Sequence, residues 1–173
     1  ITTPLAAAKA VASASAQGAR AGFGWNADQR AATEQLLTSR NRITALQGYA
    51  GTAKTTTVLA AFAREAEARG VRVVALAPTA SAVMVLGEAL GARGDTVARH
   101  LLSPERPSQG QPAAWIVDEA SLLSARDTAR LFDLAEKQNA RVILVGDVKQ
   151  LGSVEAGAAF AQLQGAGMET AKL

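Results

Sequence analysis

The chain has 173 residues, of which 49% are hydrophobic, and its 18 basic and 15 acidic side chains leave a net charge of +3. This length predicts one domain with a sizeable core, and the mild basic excess permits contact with nucleic acid without requiring it. The sequence has no cysteine and a single histidine, which excludes disulfides, thiolate metal sites and a histidine zinc cluster.

Residues 1–22 are rich in Ala, Ser and Gly, and we expect a weak helix or a linker arriving from an upstream domain. Because the chain starts with Ile1, we also expect it to be a piece of a longer protein. No apolar run approaches the roughly 18 residues of a membrane span, and the start is too broken for a secretory signal. Together with the absence of cysteine, this favours a cytoplasmic protein.

From residue 25 onward the sequence alternates between helical and strand patterns. Asn26 is a candidate N-cap for a helix that ends near Ser39, and Gly70 stops a second helix. Continuous apolar runs predict strands at 43–47, 71–77, 113–120 and 141–147, with helices at 81–90 and 124–138 and an exposed loop at 103–112. Apolar strands separated by helices are typical of an α/β fold whose mainly parallel sheet is covered by helices on both faces.

A glycine-rich stretch, GYAGTAKTT at 48–56, lies between the first strand and the second helix. It matches the phosphate-binding pattern G-x-x-x-x-G-K-[ST] except at Ala53, where the last glycine is expected. In such a loop, backbone amides and the helix N-terminus point at phosphate oxygens. The predicted cradle consists of Gly48, Tyr49, Ala50, Gly51, Thr52, Ala53, Lys54, Thr55 and Thr56.

Within this loop, Lys54 would place its ammonium near the outer phosphates, and Thr55 would offer its hydroxyl to Mg²⁺. Alanine disfavours a positive φ by roughly 1 kcal/mol, so Ala53 is tolerable where φ is negative, and we expect nucleotide binding to survive. The alternative is a fortuitous turn between a strand and a helix.

Two later strand ends carry further polar residues. In WIVDEAS, Asp118 would hold Mg²⁺ through water and Glu119 would activate or orient the attacking water, although an exposed acidic strand end is the alternative. In GDVKQ, the Gln150 amide could hydrogen-bond a terminal phosphate or its attacking water. Taken alone, that segment is equally compatible with an ordinary polar turn.

The ordered set NADQR, GYAGTAKTT, APTASA, DEAS and GDVKQLGSV resembles superfamily 1 DNA helicases. It is most similar to the RecD-like 1B branch and, within it, to the helicase part of TraI-type conjugative relaxases. The resemblance covers about residues 23–165 and implies a three-layer RecA-like P-loop NTPase domain, domain 1A of a helicase. Its implied cofactors are ATP and Mg²⁺, and Lys54, Glu119 and Gln150 are the implied catalytic residues.

The resemblance also implies roles that residue patterns alone do not. Gln29 would contact adenine; without the family, a surface helix residue is the better interpretation. Single-stranded DNA would contact Pro78, Thr79 and Ser81, then Thr96, Arg99 and His100 in the segment TVARHL. For His100, the alternative is a partly exposed or capping histidine.

A second RecA-like domain, which supplies arginine fingers in this family, is implied but absent. Residues 166–173 would begin the linker to it, and an upstream relaxase domain is a further implied partner. An arginine finger is worth about 10³ to 10⁵ in turnover, so the isolated domain is expected to be nearly inactive. Two other hypotheses remain: a RecA-like module that binds single-stranded DNA or a partner protein through a weakened nucleotide site, and a small-molecule kinase, disfavoured by few arginines.

Overall fold

The computed structural model describes residues 2–20, 24–48, 54–103, 111–146 and 158–173, with the backbone alone at 54–56 and 158. Seven helices are described: α1 Pro4–Arg20, α2 Ala27–Thr38, α3 Ala60–Ala68, α4 Ala80–Leu90, α5 Val97–Leu102, α6 Ala125–Lys137 and α7 Ala158–Gly165. A π-helical stretch, Lys54–Leu59, leads directly into α3. The six described strands are β1 Ile43–Gln47, β2 Arg72–Ala77, β3 Gly94–Thr96, β4 Ala113–Val117, β5 Ala140–Gly146 and β6 Thr170–Lys172.

All six described strands form one sheet in the order β3-β2-β4-β5-β1-β6, and every recorded pairing is parallel. Alternate residues of β4 enter different cores: Trp115 packs with α5, α6 and α7, whereas Ile116 packs with α2, α3 and α4. Two apolar layers on opposite faces of a parallel sheet confirm the predicted three-layer α/β fold.

Several predicted elements match the structure closely. The strand at 43–47 is observed as predicted, and Asn26 caps α2 by accepting from the backbone N–H of Gln29 at 2.8 Å. The predicted strand at 113–120 is shorter, because Glu119 takes a left-handed conformation (φ 51°) and a 3₁₀ turn, Ala120–Leu122, follows. The short elements β3, α5, α7 and β6 were not predicted, since segments of three to eight residues carry little periodicity.

Both ends of the chain take part in the same unit. Helix α1 packs on α2 and α3, where Val11 contacts Trp25 and Ala61 in a small apolar cluster. Strand β6 pairs with β1, and Ala171 is buried. The stretches assigned to linkers therefore contain a packed helix and a sheet strand, while the connection from 166–173 to a second domain stays a prediction.

Gly94, the first residue of β3, allows α4 to approach the sheet. A Cβ at this position would lie 2.6 Å from Cγ1 of Val83 and 2.9 Å from the carbonyl oxygen of Ala75. We expect Gly94→Ala to lower the free energy of unfolding by about 1–3 kcal/mol, since α4 would have to move outward. Chemical denaturation measures this, with Gly24→Ala as control because nothing lies within 4 Å of its added methyl. Equal stability of the two variants would contradict the packing argument.

A polar cluster joins the start of β6 to the end of α2. The Glu169 carboxylate accepts from Ser39 Oγ and Asn41 Nδ2, both at 2.6 Å, and from Gln35 Nε2 at 3.3 Å. Nearby, Arg141 donates to the carbonyl oxygens of Leu36 and Ser39, which the last turn of α2 leaves without helical partners. Burial lowers the pKa of Arg141, and the attraction of Glu169 partly opposes this.

These contacts set the charge state of Glu169. Burial alone would raise its pKa, but the hydrogen bonds from Ser39, Gln35 and Asn41 and the charge of Arg141 outweigh it, so the pKa falls below its ordinary value of 4.5. A carboxylate with a lowered pKa in the folded state contributes stability above its unfolded value and loses it as the pH falls through the folded value.

Glu169→Gln is therefore expected to make the protein less stable at pH 7 and to flatten its loss of stability on acidification. The free energy of unfolding, measured by denaturant titration from pH 7 to pH 3, should differ most between variant and parent at pH 7. Glu34→Gln on the exposed face of α2 provides the control. An unchanged pH profile in Glu169→Gln would refute the role of this carboxylate.

Candidate nucleotide site and nucleic-acid face

The predicted site residues lie at one edge of the sheet, because the carboxyl ends of parallel strands share an edge. Taken across the sheet from β3 to β1, the residues at or directly after the strand ends are Thr96, Pro78, Asp118, Gly146 and Gly48. The phosphate loop and the acidic pair thus belong to strands β1 and β4, with β5 between them. Strands β1 and β4 are two strand spacings of about 4.8 Å apart, which separates them by roughly 10 Å.

The loop after β1 begins at a constrained position. Gly48 is buried, and its N–H lies 3.4 Å from the carbonyl oxygen of Gly146, the last residue of β5. Tyr49, Ala50, Gly51, Thr52 and Ala53 lie outside the described residues. Helical backbone resumes at Lys54, so a helix N-terminus follows β1 as a phosphate-binding loop requires. At Lys54, Thr55 and Thr56 the structure describes the backbone and not the side chains.

The acidic pair occupies the end of β4. Asp118 donates its N–H to the carbonyl oxygen of Leu76 at 2.9 Å, which extends the pairing with β2 by one residue. Its Oδ1 accepts from the N–H of Glu119 at 2.8 Å. Both carboxylates are half-buried, so each retains contact with solvent at this edge. Carboxylate oxygens on a strand end beside a phosphate loop are suitable ligands for Mg²⁺.

Glu119 is one of two non-glycine residues with positive φ among the described residues. This conformation is uncommon for a residue with a Cβ and carries a conformational cost, which such positions retain most often at functional sites. It turns the chain from β4 into the 3₁₀ turn Ala120–Leu122. The sequence held no signal for this geometry, since glutamate is not typical of left-handed positions.

Gln150 follows β5, the strand that lies between the phosphate loop and the acidic pair. The residue itself is outside the described part of the chain, so its predicted contact with phosphate or water stays a prediction. The sequence alone did not establish this β1–β5–β4 order of strands.

Gln29 is buried, and its side chain accepts from the backbone N–H of Asn26 at 3.0 Å. With the reciprocal bond from Gln29 N–H to Asn26, it completes a capping box. The interpretation of Gln29 as a plain surface residue is therefore wrong. Helix α2 packs on the helical stretch after the phosphate loop. The contact between Gln29 and adenine stays a prediction.

The hydroxyl residues predicted to contact DNA occupy helix starts at the same edge. Thr79 caps α4 by accepting from Ala82 N–H at 3.3 Å, and its Oγ1 lies 3.3 Å from Oγ of Ser81. Thr96 caps α5 in the same way. Thr79 and Ser81 are exposed, so this part of the edge presents hydroxyl groups to solvent.

Arg99 and His100 are adjacent in sequence but differ in accessibility. The Arg99 side chain is 78% exposed and lies 3.4 Å from Asp95. His100 is only 3% exposed, and its ring packs edge-to-face on Trp115 with centroids 4.5 Å apart. A buried ring does not reach DNA, so we correct His100 to a packing residue. The alternative of a partly exposed histidine does not describe it, because α5 turns its side chain inward onto β4.

The comparisons with known proteins agree with this geometry. A family model described as an AAA domain matches residues 24–173. The chain belongs to this AAA domain family. In shape it is similar to the crystal structure of Pif1 helicase from Candida albicans, with a TM-score of 0.58 and 15% identity over 86% of this chain and 40% of that one. The structural likeness confirms the RecA-like fold of this AAA domain.

Curated relatives place the AAA domain more narrowly. It is 38% identical to the probable conjugal transfer protein TraA of Sinorhizobium fredii over 77% of the chain, and 34% identical to the multifunctional conjugation protein TraI of Escherichia coli over 76%. It is also 38% identical to RecBCD enzyme subunit RecD of Mycobacterium tuberculosis over 79% of the chain. The domain is therefore helicase-like and related to conjugation proteins and RecD, as the motifs predicted.

The AAA domain spans only part of these relatives: 12% of TraA, 8% of TraI and 28% of RecD. A P-loop domain of this kind implies nucleotide use, typically with Mg²⁺. Within the described residues, no helix is long and apolar enough to cross a membrane.

Proposed function

We propose that this AAA domain is the first RecA-like motor domain of an ATP-dependent DNA translocase or helicase, acting within a conjugative relaxase-helicase. The observation that carries the proposal is the arrangement of three strand ends. A helix N-terminus follows β1, the carboxylates of Asp118 and Glu119 follow β4, and β5 lies between these two strands. Nucleotide hydrolysis requires hydrogen-bond donors for the phosphates and a carboxylate for the attacking water, placed on opposite sides of one gap.

Each group has a distinct task in this proposal. The backbone amides after Gly48 and the Lys54 ammonium bind the outer phosphates, while Thr55 and Asp118 would hold Mg²⁺. Bound Mg²⁺ neutralises charge on the phosphate oxygens. Glu119, which follows Asp118 with a left-handed backbone, orients the attacking water. Gln150 would hydrogen-bond the terminal phosphate or its attacking water.

Single-stranded DNA is the proposed track. The exposed hydroxyls of Thr79 and Ser81 and the exposed guanidinium of Arg99 follow β2 and β3, which are neighbours at the end of the sheet away from the phosphate loop. Hydroxyl and guanidinium groups are ordinary phosphate partners and carry no base preference. Because DNA and nucleotide would occupy separate parts of one edge, both fit on the domain at once. Efficient hydrolysis needs a second RecA-like domain across the cleft.

Lys54→Ala tests the nucleotide site directly. Loss of one charge-assisted contact to phosphate is expected to weaken the affinity for Mg-ATP about tenfold to a hundredfold. Titration of a fluorescent ATP analogue, with and without Mg²⁺, measures the affinity, and Lys137→Ala on the exposed end of α6 is the matched control. Equal affinity in both variants would sink the motor proposal and favour a module that binds DNA or a partner protein.

A further inference from the structure

Helix α7 connects the ends of the strands that form the candidate site. Its Gln164 donates from Nε2 to Oε1 of Gln47, the last residue of β1, at 2.9 Å. On the preceding turn, the fully buried ring of Phe160 lies 3.2 Å from where a Cβ on Gly146 would stand, at the end of β5. The helix therefore contacts both strand ends that lead into the proposed phosphate-binding segments.

The same helix also reaches the acidic pair. It packs against the 3₁₀ turn Ala120–Leu122, which directly follows Glu119. One short helix thus lies behind the ends of β1, β5 and β4. None of its side chains was assigned a role in binding nucleotide or DNA, yet a shift of α7 would change the spacing of all three strand ends.

We propose that Gln164 is a positioning residue for the phosphate loop and acts through its hydrogen bond to Gln47. Gln47 immediately precedes Gly48, so a shift of its side chain or backbone would change the position at which the loop begins. The proposal rests on the proposed function, because the property that Gln164 controls is the affinity for Mg-ATP.

Backbone contacts from both neighbouring strands hold the end of β1. The N–H of Gly48 lies 3.4 Å from the Gly146 carbonyl oxygen, which is long for such a bond. On the other side, Leu173 N–H donates to the carbonyl oxygen of Gln47 at 2.8 Å. The Gln164 side chain adds a contact from the α7 face of the sheet, in a direction that neither backbone contact restrains.

A double-mutant cycle on Gln47 and Gln164 tests this role. Methionine keeps the length of each side chain and removes its amide, so Gln164→Met and Gln47→Met each break the same hydrogen bond. Each is expected to weaken Mg-ATP affinity about threefold to tenfold, and the double variant no further than either alone. Gln164→Ala, which removes the bond without added bulk, should give a similar loss. Gln162→Met on the exposed face of α7 is the control and should bind as the parent does.

The outcomes are separable. Thermal unfolding is recorded for each variant alongside binding. The affinity loss should be present at temperatures at which the variant is still folded. Parent-like affinity in Gln164→Met, an additive double variant, or an equal loss in Gln162→Met overturns the positioning role while the motor proposal stands. If the parent chain itself binds no Mg-ATP, both proposals fail.

Discussion

A protein that continues past Leu173 into a second RecA-like domain is expected to hydrolyse ATP about 10³ to 10⁵ times faster than this domain alone. In the proposed site, the carboxylates of Asp118 and Glu119 follow β4, and stabilising the transferring phosphate calls for an arginine side chain in addition. A second domain closing over the edge would supply that charge. Steady-state phosphate release, measured for both proteins at saturating Mg-ATP, tests the expectation.

Single-stranded DNA should raise the turnover of the longer protein further, because its proposed track along Thr79, Ser81 and Arg99 lies at the edge over which the second domain is proposed to close. The longer protein carrying Lys54→Ala is the control for contaminating ATPase and should be inactive with and without DNA. A folded longer protein whose turnover does not respond to DNA would argue against translocation and for a nucleotide-binding module.

How far the sequence determines the site depends on how local each feature is. The strand Ile43–Gln47, the N-cap at Asn26 and the start of a helix after the glycine-rich stretch depend on neighbouring residues, and each was predicted from pattern. The capping box that Asn26 forms with Gln29 was not predicted. The order of the strands that brings Asp118 near Gly48 depends on long-range packing, and neither periodicity nor the motifs predicted it.

Features that rest on distant contacts were missed. The Glu169 carboxylate is hydrogen-bonded by side chains about 130 positions earlier in the chain, so the local sequence around residue 169 did not predict β6. His100 is buried because α5 folds onto Trp115, a residue in a strand that the motif TVARHL does not include. The left-handed backbone of Glu119 is a third case, since only tertiary packing sustains it against its local preference.

The second large effect concerns Glu119. In the longer protein, Glu119→Gln is expected to lower the rate of ATP hydrolysis about 10² to 10⁴-fold, because the amide cannot accept a proton from the attacking water. Mg-ATP affinity should change little, since the proposal assigns the binding of the phosphates and Mg²⁺ to the backbone amides, Lys54 and Asp118. Single-turnover hydrolysis and equilibrium binding, measured on one preparation, separate these two quantities.

The variant is informative because glutamine and glutamate have the same shape and the same backbone demands at φ 51°. A loss of rate therefore reports chemistry and not a collapsed turn, which circular dichroism checks. Glu136→Gln, exposed on α6, is the matched control and should hydrolyse ATP at the parent rate. Asp118→Asn should behave differently, weakening the Mg²⁺-dependent part of the affinity as well as the rate. Retained turnover in Glu119→Gln would mean that the acidic strand end orients no water, and the base would have to be sought on another strand.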